Sequence, residues 1–104
     1  MLTTLDGTSF ANTLATTEKG ICICFKKLCP HCKNMEKVLE KFHNLEPDVA
    51  LFRLDMEEES ALAASLGAER APTLLVMAQG EIRGTKAGLM NPKELRAYFA
   101  QCLR

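Results

Sequence analysis

The chain has 104 residues, 47% of them hydrophobic, and this length fits one globular domain spanning residues 1–104. Its 13 basic and 13 acidic residues cancel, so no net field would hold a nucleic acid or an anionic membrane surface. The apolar runs are far shorter than the roughly 20 residues of a membrane-spanning helix, and the first residues lack the features of a secretory signal peptide. We therefore expect a cytoplasmic monomer with no nucleic-acid or membrane partner.

Five cysteines are many for a chain of this length, but their number is odd and the core is adequate without disulfide staples. A secreted disulfide framework is therefore disfavoured. In a reducing compartment, clustered cysteines indicate either metal binding or redox catalysis. Their positions along the chain have to decide between these two kinds of site.

Short apolar runs alternate with amphipathic stretches, which predicts strands and helices in alternation. Capping and turn residues set their boundaries. In chain order the predicted elements are a strand at 1–5, a helix capped by Thr8 or Ser9 and ended near Gly20, a strand at 20–25, a helix from Pro30 to about Leu45, a strand at 48–54, a helix at 57–66, strands at 72–78 and 81–87, and a helix from Pro92. This order predicts an α/β domain with a central mixed sheet and helices on both faces.

Three local signals support these boundaries. Asn91 supplies an N-cap for the last helix, Pro92 fits its first position, and Glu94 stands where a capping box needs its acid. The two residues at 79–80 are short enough to join their strands as an antiparallel hairpin. The three glutamates at 57–59 predict a solvated helix start rather than a metal site.

The run Leu28-Cys29-Pro30-His31-Cys32 stands where an apolar strand passes into a helix. If Cys29 is the N-cap, Pro30 falls on the first helical position, where its missing N–H costs nothing. The Cys29 sulfur then accepts N–H groups of the first turn, and the helix dipole stabilises its thiolate. We therefore predict that Cys29 attacks a disulfide and that Cys32 resolves the adduct. His31 adds a donor or a cation that favours the reduced form.

A metal site is the rival interpretation of the same cysteines. The spacing Cys24-x4-Cys29-x2-Cys32 matches a plant-type two-iron cluster run, with Cys102 as a distant fourth ligand. Cys22 or His31 could instead complete a zinc site. Cys24 lies in an apolar strand, with no glycine before Cys32 to let the chain wrap a cluster. We therefore expect the cysteines outside the motif to pack in the core, and no metal or cofactor besides the dithiol.

These residues resemble the thioredoxin family, and the resemblance runs over nearly the whole chain. Ala71-Pro72-Thr73 resembles the family's loop with a cis-proline facing the active site, and Gly88 stands where the family keeps a glycine in its substrate-facing loop. The resemblance implies a thioredoxin fold with Leu28, Ala71, Pro72, Thr73 and Gly88 at the substrate-binding surface. It also implies a thiol–disulfide oxidoreductase that reduces protein disulfides and regains electrons from a reductase of the thioredoxin-reductase type.

Several positions depart from the family pattern. The Pro-His spacer resembles periplasmic disulfide-donating oxidants and atypical bacterial thioredoxins of the desulfothioredoxin type. The chain is too short for the helical insertion of those oxidants, so a reductase is the first interpretation. An oxidase or isomerase is the second, and a docking module with a vestigial dithiol is the third. Ile23 replaces the family's buried acid, and the acid's lysine partner aligns approximately with Leu51. The sequence therefore does not identify the group that takes the proton from Cys32.

Overall fold

The structure is a computed structural model that describes residues 2–104, and within this range it contains five strands and four helices. Their bounds are β1 Thr3–Leu5, α1 Phe10–Thr16, β2 Lys19–Phe25, α2 Pro30–Leu45, β3 Ala50–Asp55, α3 Ser60–Ser65, β4 Thr73–Ala78, β5 Glu81–Ala87 and α4 Pro92–Cys102. This order of elements confirms the prediction. Met1, the first residue of the predicted β1, lies outside the described residues.

The five strands form one mixed sheet in the order β1-β3-β2-β4-β5. β3 is parallel to β1 and β2, whereas β4 is antiparallel to β2 and β5. At the end of the central strand, Cys24 pairs with Leu54 on one side and Thr73 on the other. The segment that follows β2 and the segment that precedes β4 therefore meet at the same end of the sheet.

Alternate side chains of β2 enter two separate cores. Ile21 and Ile23 pack on the face covered by α2 and α4, with Met35, Leu39, Phe42, Leu95 and Phe99. Cys22 and Cys24 pack on the opposite face, which α1 and α3 cover through Phe10 and Ala63. The prediction of helices on both faces of the sheet is therefore confirmed.

The boundaries of α1 differ from the prediction. Ser9 occupies the N-cap but makes no side-chain cap bond, because its Oγ instead accepts the Asp6 N–H at 3.0 Å. The Asp6 carboxylate accepts the N–H groups of Thr8 and Ser9 at 2.9 and 2.8 Å. The helix ends at Thr16, and the extended backbone of Thr17 leads directly into β2. Gly20, the predicted terminator, lies inside β2, so that prediction was wrong.

The start of α3 was also predicted too early. The helix begins at Ser60 rather than Glu57. The reason is Asp55, whose carboxylate accepts the N–H groups of Glu57 and Glu58 at 2.8 and 3.2 Å and folds this segment into a turn. The glutamates therefore precede the helix and do not form its first turn.

The hairpin and the last helix follow their predicted signals. Gln79 and Gly80 both have positive φ, 51° and 81°, as a two-residue hairpin turn requires. Glu94 N–H donates to Asn91 Oδ1 at 2.8 Å and Asn91 N–H donates to Glu94 Oε1 at 3.0 Å, which completes the capping box. Within residues 2–104, no helix combines the length and apolar character needed to cross a bilayer.

Candidate active site

The Cys29–Cys32 run lies where the central strand leads into α2. Cys29 is the N-cap in extended conformation, and Pro30 occupies the first turn. The Cys32 N–H donates to Cys29 Sγ at 3.3 Å, so the predicted sulfur cap is confirmed. Cys29 is half-buried, whereas Cys32 is only 2% exposed. The two sulfurs of the pair therefore differ in access to solvent.

The Cys32 thiol is held in its protonated form. Burial raises the pKa of Cys32 to about 11, and the hydrogen bond with Cys29 and the charges of Cys29 and Glu36 act in the same direction. The peptide group of Lys26 opposes them by hydrogen bonding. The Cys32 thiol donates to Cys29 Sγ across 2.6 Å. At neutral pH the pair therefore combines an accessible Cys29 sulfur with a buried and protonated Cys32 thiol.

The loop before β4 faces the dithiol. The Ala71–Pro72 peptide bond is cis, and the Cys29 thiol points to the Ala71 carbonyl across 4.0 Å. Gly88 fixes this loop, because its N–H donates to the Pro72 carbonyl at 2.9 Å. Its φ of 96° favours glycine. The predicted cis-proline is confirmed, and the loop and the dithiol form one surface.

Two clefts flank Cys29. The first, here the lysine cleft, has a volume of about 300 Å³ and is lined by Lys27, Leu28, Cys29, Pro30 and Lys33. The second, here the proline cleft, has a volume of about 200 Å³ and is lined by His31, Arg70, Ala71, Pro72, Gly88 and Leu89. Leu28 is 98% exposed and Leu89 is 48% exposed, so each cleft carries an apolar side chain that contacts solvent.

The predicted substrate-facing residues divide into two groups. Leu28, Ala71, Pro72 and Gly88 line the two clefts. Thr73 is only 1% exposed and lines neither of them, since it is a β4 residue whose hydroxyl donates to the Arg70 carbonyl. Sequence reasoning missed Arg70 and Leu89. Their positions beside the Ala71–Pro72 bond and Gly88 are the signal that could have found them.

The cysteines outside the pair occupy other parts of the molecule. Cys22 and Cys24 are fully buried on the sheet face opposite α2, and the hydrogen bond between them and burial raise the pKa of Cys22. Cys102 packs against the other core and is partly buried. The sheet therefore separates Cys24 from Cys32. Among residues 2–104, no three His, Cys, Asp or Glu side chains are grouped as metal ligands.

An ion pair lies beside the apolar position Ile23. In the strand register Ile23 lies opposite Arg53, whereas Leu51 lies opposite Ile21 and is buried in the core. Ile23 is also fully buried, so neither Ile23 nor Leu51 brings a charge to this face of the sheet. Arg53 Nη2 donates to Glu36 Oε2 at 3.3 Å. The cation opposite Ile23 is therefore paired with an acid of α2.

Known proteins share this architecture. The family model described as Thioredoxin matches residues 1–101. The chain belongs to the thioredoxin family. Its mixed sheet with helices on both faces is the thioredoxin fold, and its function is that of a thiol–disulfide oxidoreductase, as the resemblance implied.

Three relatives illustrate the match to the thioredoxin family. The solution structure of reduced desulfothioredoxin from Desulfovibrio vulgaris Hildenborough has a TM-score of 0.84 and 39% identity, over 95% of this chain and 96% of that chain. Thioredoxin from Bacillus subtilis (strain 168) is 31% identical over 83 residues, 77% of this chain and 79% of that protein. A disulfide bond formation protein from Brevibacillus choshinensis is 30% identical over 87 residues, 82% of this chain and 74% of that protein. The resemblance to the desulfothioredoxin type is confirmed.

Proposed function

We propose that residues 1–104 act as one domain that reduces disulfide bonds in proteins, with Cys29 attacking and Cys32 resolving. The asymmetry of the two sulfurs carries this proposal. Cys29 caps a helix and accepts the Cys32 N–H, whereas Cys32 is buried and keeps its proton. A nucleophile must be reachable and stabilised as a thiolate, and only Cys29 of the pair meets both needs.

The attack forms a mixed disulfide. The Cys29 thiolate attacks one sulfur of a substrate disulfide, the substrate S–S bond breaks, and the other substrate sulfur leaves as a thiolate that takes a proton from water. The Cys32 N–H and the positive end of the α2 dipole stabilise the Cys29 thiolate before attack. Pro30 and His31 tune this step by fixing the helix start and by adding a donor.

The resolving step returns the substrate as a dithiol. The Cys32 thiol loses its proton, the thiolate attacks Cys29 Sγ, and the new Cys29–Cys32 bond releases the second substrate sulfur. Two electrons pass from this protein to the substrate. Another turnover requires a dithiol donor, so the proposal includes a reductase of the thioredoxin-reductase type as partner and no cofactor besides the dithiol.

The two clefts are the proposed docking surface for the substrate chain. Leu28 offers an apolar contact in the lysine cleft, and Leu89 offers one in the proline cleft. Ala71, Pro72 and Gly88 form part of the wall of the proline cleft. Thr73 acts from inside, because its buried hydroxyl is bonded to the loop. We assign it a positioning role rather than a substrate contact.

The setting that suits this chemistry is a reducing compartment, and we assign the protein to the cytoplasm as a monomer without nucleic-acid or membrane partners. The three cysteines outside the pair are free thiols in the structure. Cys102 is partly exposed, and a thiol of that kind persists best where the glutathione and thioredoxin systems keep thiols reduced.

Net oxidation of substrates is the second candidate function. His31 lies between the two cysteines in the sequence, and one relative carries the name disulfide bond formation protein. Equilibration of the purified protein against a series of glutathione redox buffers separates the two directions. A reductase holds its dithiol mostly oxidised in buffers poised at the cytosolic glutathione potential. A dithiol that stays reduced there would favour the oxidant role.

Trapping tests the order of attack. Cys32→Ser removes the resolving sulfur, so we expect disulfide-linked adducts to accumulate on Cys29 when the reduced variant meets oxidised protein substrates. Non-reducing electrophoresis and mass spectrometry of the linked peptides identify the cysteine used. Cys102→Ser is the matched control and should trap no adducts. Adducts on Cys102, or none at all, would contradict the assigned roles. Partner binding and a cell phenotype that Cys29→Ser leaves untouched would favour the docking module.

A further inference from the structure

The resolving step leaves a buried proton to be removed. Burial keeps Cys32 protonated at neutral pH, with its pKa raised to about 11. On β2, the side chain six residues before Cys29 is Ile23, which is fully buried and apolar. This strand position therefore offers no proton acceptor, and an acceptor has to come from the charged groups of the neighbouring elements.

Glu36 lies one helical turn beyond Cys32. Residues four apart on a helix share a face, with their Cβ atoms about 5–6 Å apart. The Glu36 side chain is 25% exposed, and it is close enough to Cys32 for its charge to help raise the pKa of that thiol. It is an acid on the face of α2 that also carries the resolving cysteine.

Arg53 holds the Glu36 carboxylate against the sheet. Its Nη2 donates to Glu36 Oε2 at 3.3 Å, and its guanidinium carbon lies 4.2 Å from the centre of the Phe25 ring. The register places Arg53 opposite Ile23, on the strand beside the end of β2 that leads to the dithiol. Arg53 Nε is buried without a hydrogen-bond partner. The contact uses one carboxylate oxygen and leaves the other available.

The remaining ionisable groups near Cys32 have other roles. Asp55, at the end of β3, accepts two backbone N–H groups of the turn that follows it. His31 and Lys33 are exposed on the first turn of α2, and Lys26 contributes only its peptide group. Cys29 is consumed in the mixed disulfide during this step. Glu36 is the remaining carboxylate.

We propose that Glu36 accepts the proton of the Cys32 thiol in the resolving step, positioned by Arg53. This proposal rests on the function assigned to Cys29 and Cys32. The Cys32 S–H bond breaks and its proton moves to the Glu36 carboxylate. The Cys32 thiolate forms a bond to Cys29 Sγ, and the Cys29–substrate bond breaks. The departing substrate thiolate then takes the proton from Glu36, directly or relayed through water, which restores the carboxylate.

A two-phase assay separates attack from resolution. The reduced protein, in a Cys102→Ser background, is mixed in excess with an aromatic disulfide whose released thiolate absorbs visible light. The first thiolate appears when Cys29 attacks, and the second appears when Cys32 resolves. Failure of the first phase would contradict the proposed function itself, whereas the present proposal concerns only the second phase.

Glu36→Gln keeps the shape of the side chain and removes its basicity. We expect the second phase to slow by at least about tenfold at neutral pH, with the first phase unchanged, because general-base catalysis commonly contributes more than that factor. An electrostatic role alone predicts the opposite sign. The negative charge of Glu36 raises the pKa of Cys32, so its loss would favour the thiolate and speed resolution. A second phase that is unchanged or faster would overturn the proposal.

Three further measurements distinguish this role from a structural one. Glu36→Asp should restore part of the second-phase rate, because it retains a carboxylate. The deficit of Glu36→Gln should shrink as the pH approaches about 11, where hydroxide removes the Cys32 proton. Glu40→Gln, which removes the same charge from an exposed position on α2, is the matched control and should leave both phases unchanged. A pH-independent deficit, or an equal deficit in Glu40→Gln, would contradict proton transfer to Glu36.

Discussion

The two cysteines of the motif have the same chemistry as free residues, and their positions in the fold separate them. Cys29 stands outside the helix with its sulfur bonded to the Cys32 N–H, while Cys32 lies within the helix and is buried. The helix dipole stabilises the thiolate of Cys29, whereas desolvation favours the protonated thiol of Cys32. A difference of this kind arises from a helix that begins between two cysteines three residues apart.

His31 lies between the two cysteines in the sequence, and its side chain lines the proline cleft with Pro72. His31→Ala should make the protein more reducing, because the variant lacks the donor or cation that stabilises the thiolate of the reduced form. An effect near 1 kcal/mol corresponds to about 20 mV for this two-electron couple. Glutathione equilibration measures the shift. His43→Ala, at the far end of the same helix, should leave the potential unchanged, and an equal shift there would refute the local explanation.

The residue-scale predictions that succeeded depended on local information. Pro30 fixes where α2 begins, and this alone identifies Cys29 as the cap. Arg53 could not be found in that way, because its place opposite Ile23 depends on the register of two strands that are distant in sequence. Side chains two residues apart on a strand lie on the same face of the sheet. The sequence pattern alone therefore allows either Leu51 or Arg53 to lie opposite Ile23.

At the scale of elements, the packing of α4 on β5 depends on Gly84. A methyl group at this position would stand 2.5 Å from both Tyr98 Oη and Cys102 Sγ. Gly84→Ala should therefore lower the free energy of unfolding by about 1–3 kcal/mol, the usual cost of overpacking, despite the better strand propensity of alanine. Urea unfolding measures this change.

Tyr98 provides an independent readout of the same contact. Burial, followed by the hydrogen bond and charge of Cys102, raises the pKa of Tyr98 to about 12. Displacement of α4 by Gly84→Ala should lower this pKa. Tyr98 is the single tyrosine, so its ionisation is directly visible in absorbance.

A double variant provides the control for the Gly84 contact. In a Tyr98→Phe, Cys102→Ala background the new methyl group has room, and Gly84→Ala should lower the free energy of unfolding only slightly. An undiminished cost in that background would show that the contact is not responsible.

Helix boundaries were predictable where adjacent residues determine them and missed where a more distant side chain intervenes. The capping box of α4 uses residues three apart, so Asn91 and Glu94 predict it from the sequence alone. In contrast, Ser9 occupies the N-cap of α1 without a side-chain cap bond because it belongs to the turn formed by Asp6, and Asp55 converts the predicted first turn of α3 into a separate turn. Both aspartates lie at strand ends, where a side-chain turn competes with immediate helix formation.

At the scale of the whole molecule, the site is a product of strand order. The central strand leads to Cys29, and its antiparallel neighbour begins just after Pro72. The next strand ends at Ala87, beside the start of β4, and carries the chain to Gly88. Three segments distant in sequence therefore meet at one end of the sheet. The alternating pattern of elements predicts this convergence, whereas the contacts of Arg70 and Leu89 follow only from the folded loops.

The buried thiol couples the stability of the whole reduced protein to pH. Cys32 has a pKa of about 11 in the folded protein, above the ordinary thiol value of 9.0 that applies to the unfolded chain. Below about pH 9 both states hold the proton, so this group adds no pH dependence. Between about pH 9 and pH 11 the unfolded chain releases the proton while the folded protein keeps it. The free energy of unfolding therefore falls as pH rises through this window.

Cys32→Ser isolates this effect, because serine has nearly the same shape and no ionisable thiol. Urea midpoints of both proteins, kept reduced, are compared at about pH 8 and about pH 10.5. We expect the parent protein to lose more stability than the variant over this interval. The raised pKa values of Cys22 and Tyr98 contribute equally to both proteins and cancel in the comparison. Parallel losses would mean that the Cys32 sulfur is solvated in the folded state, and the burial that separates resolver from nucleophile would then need another origin.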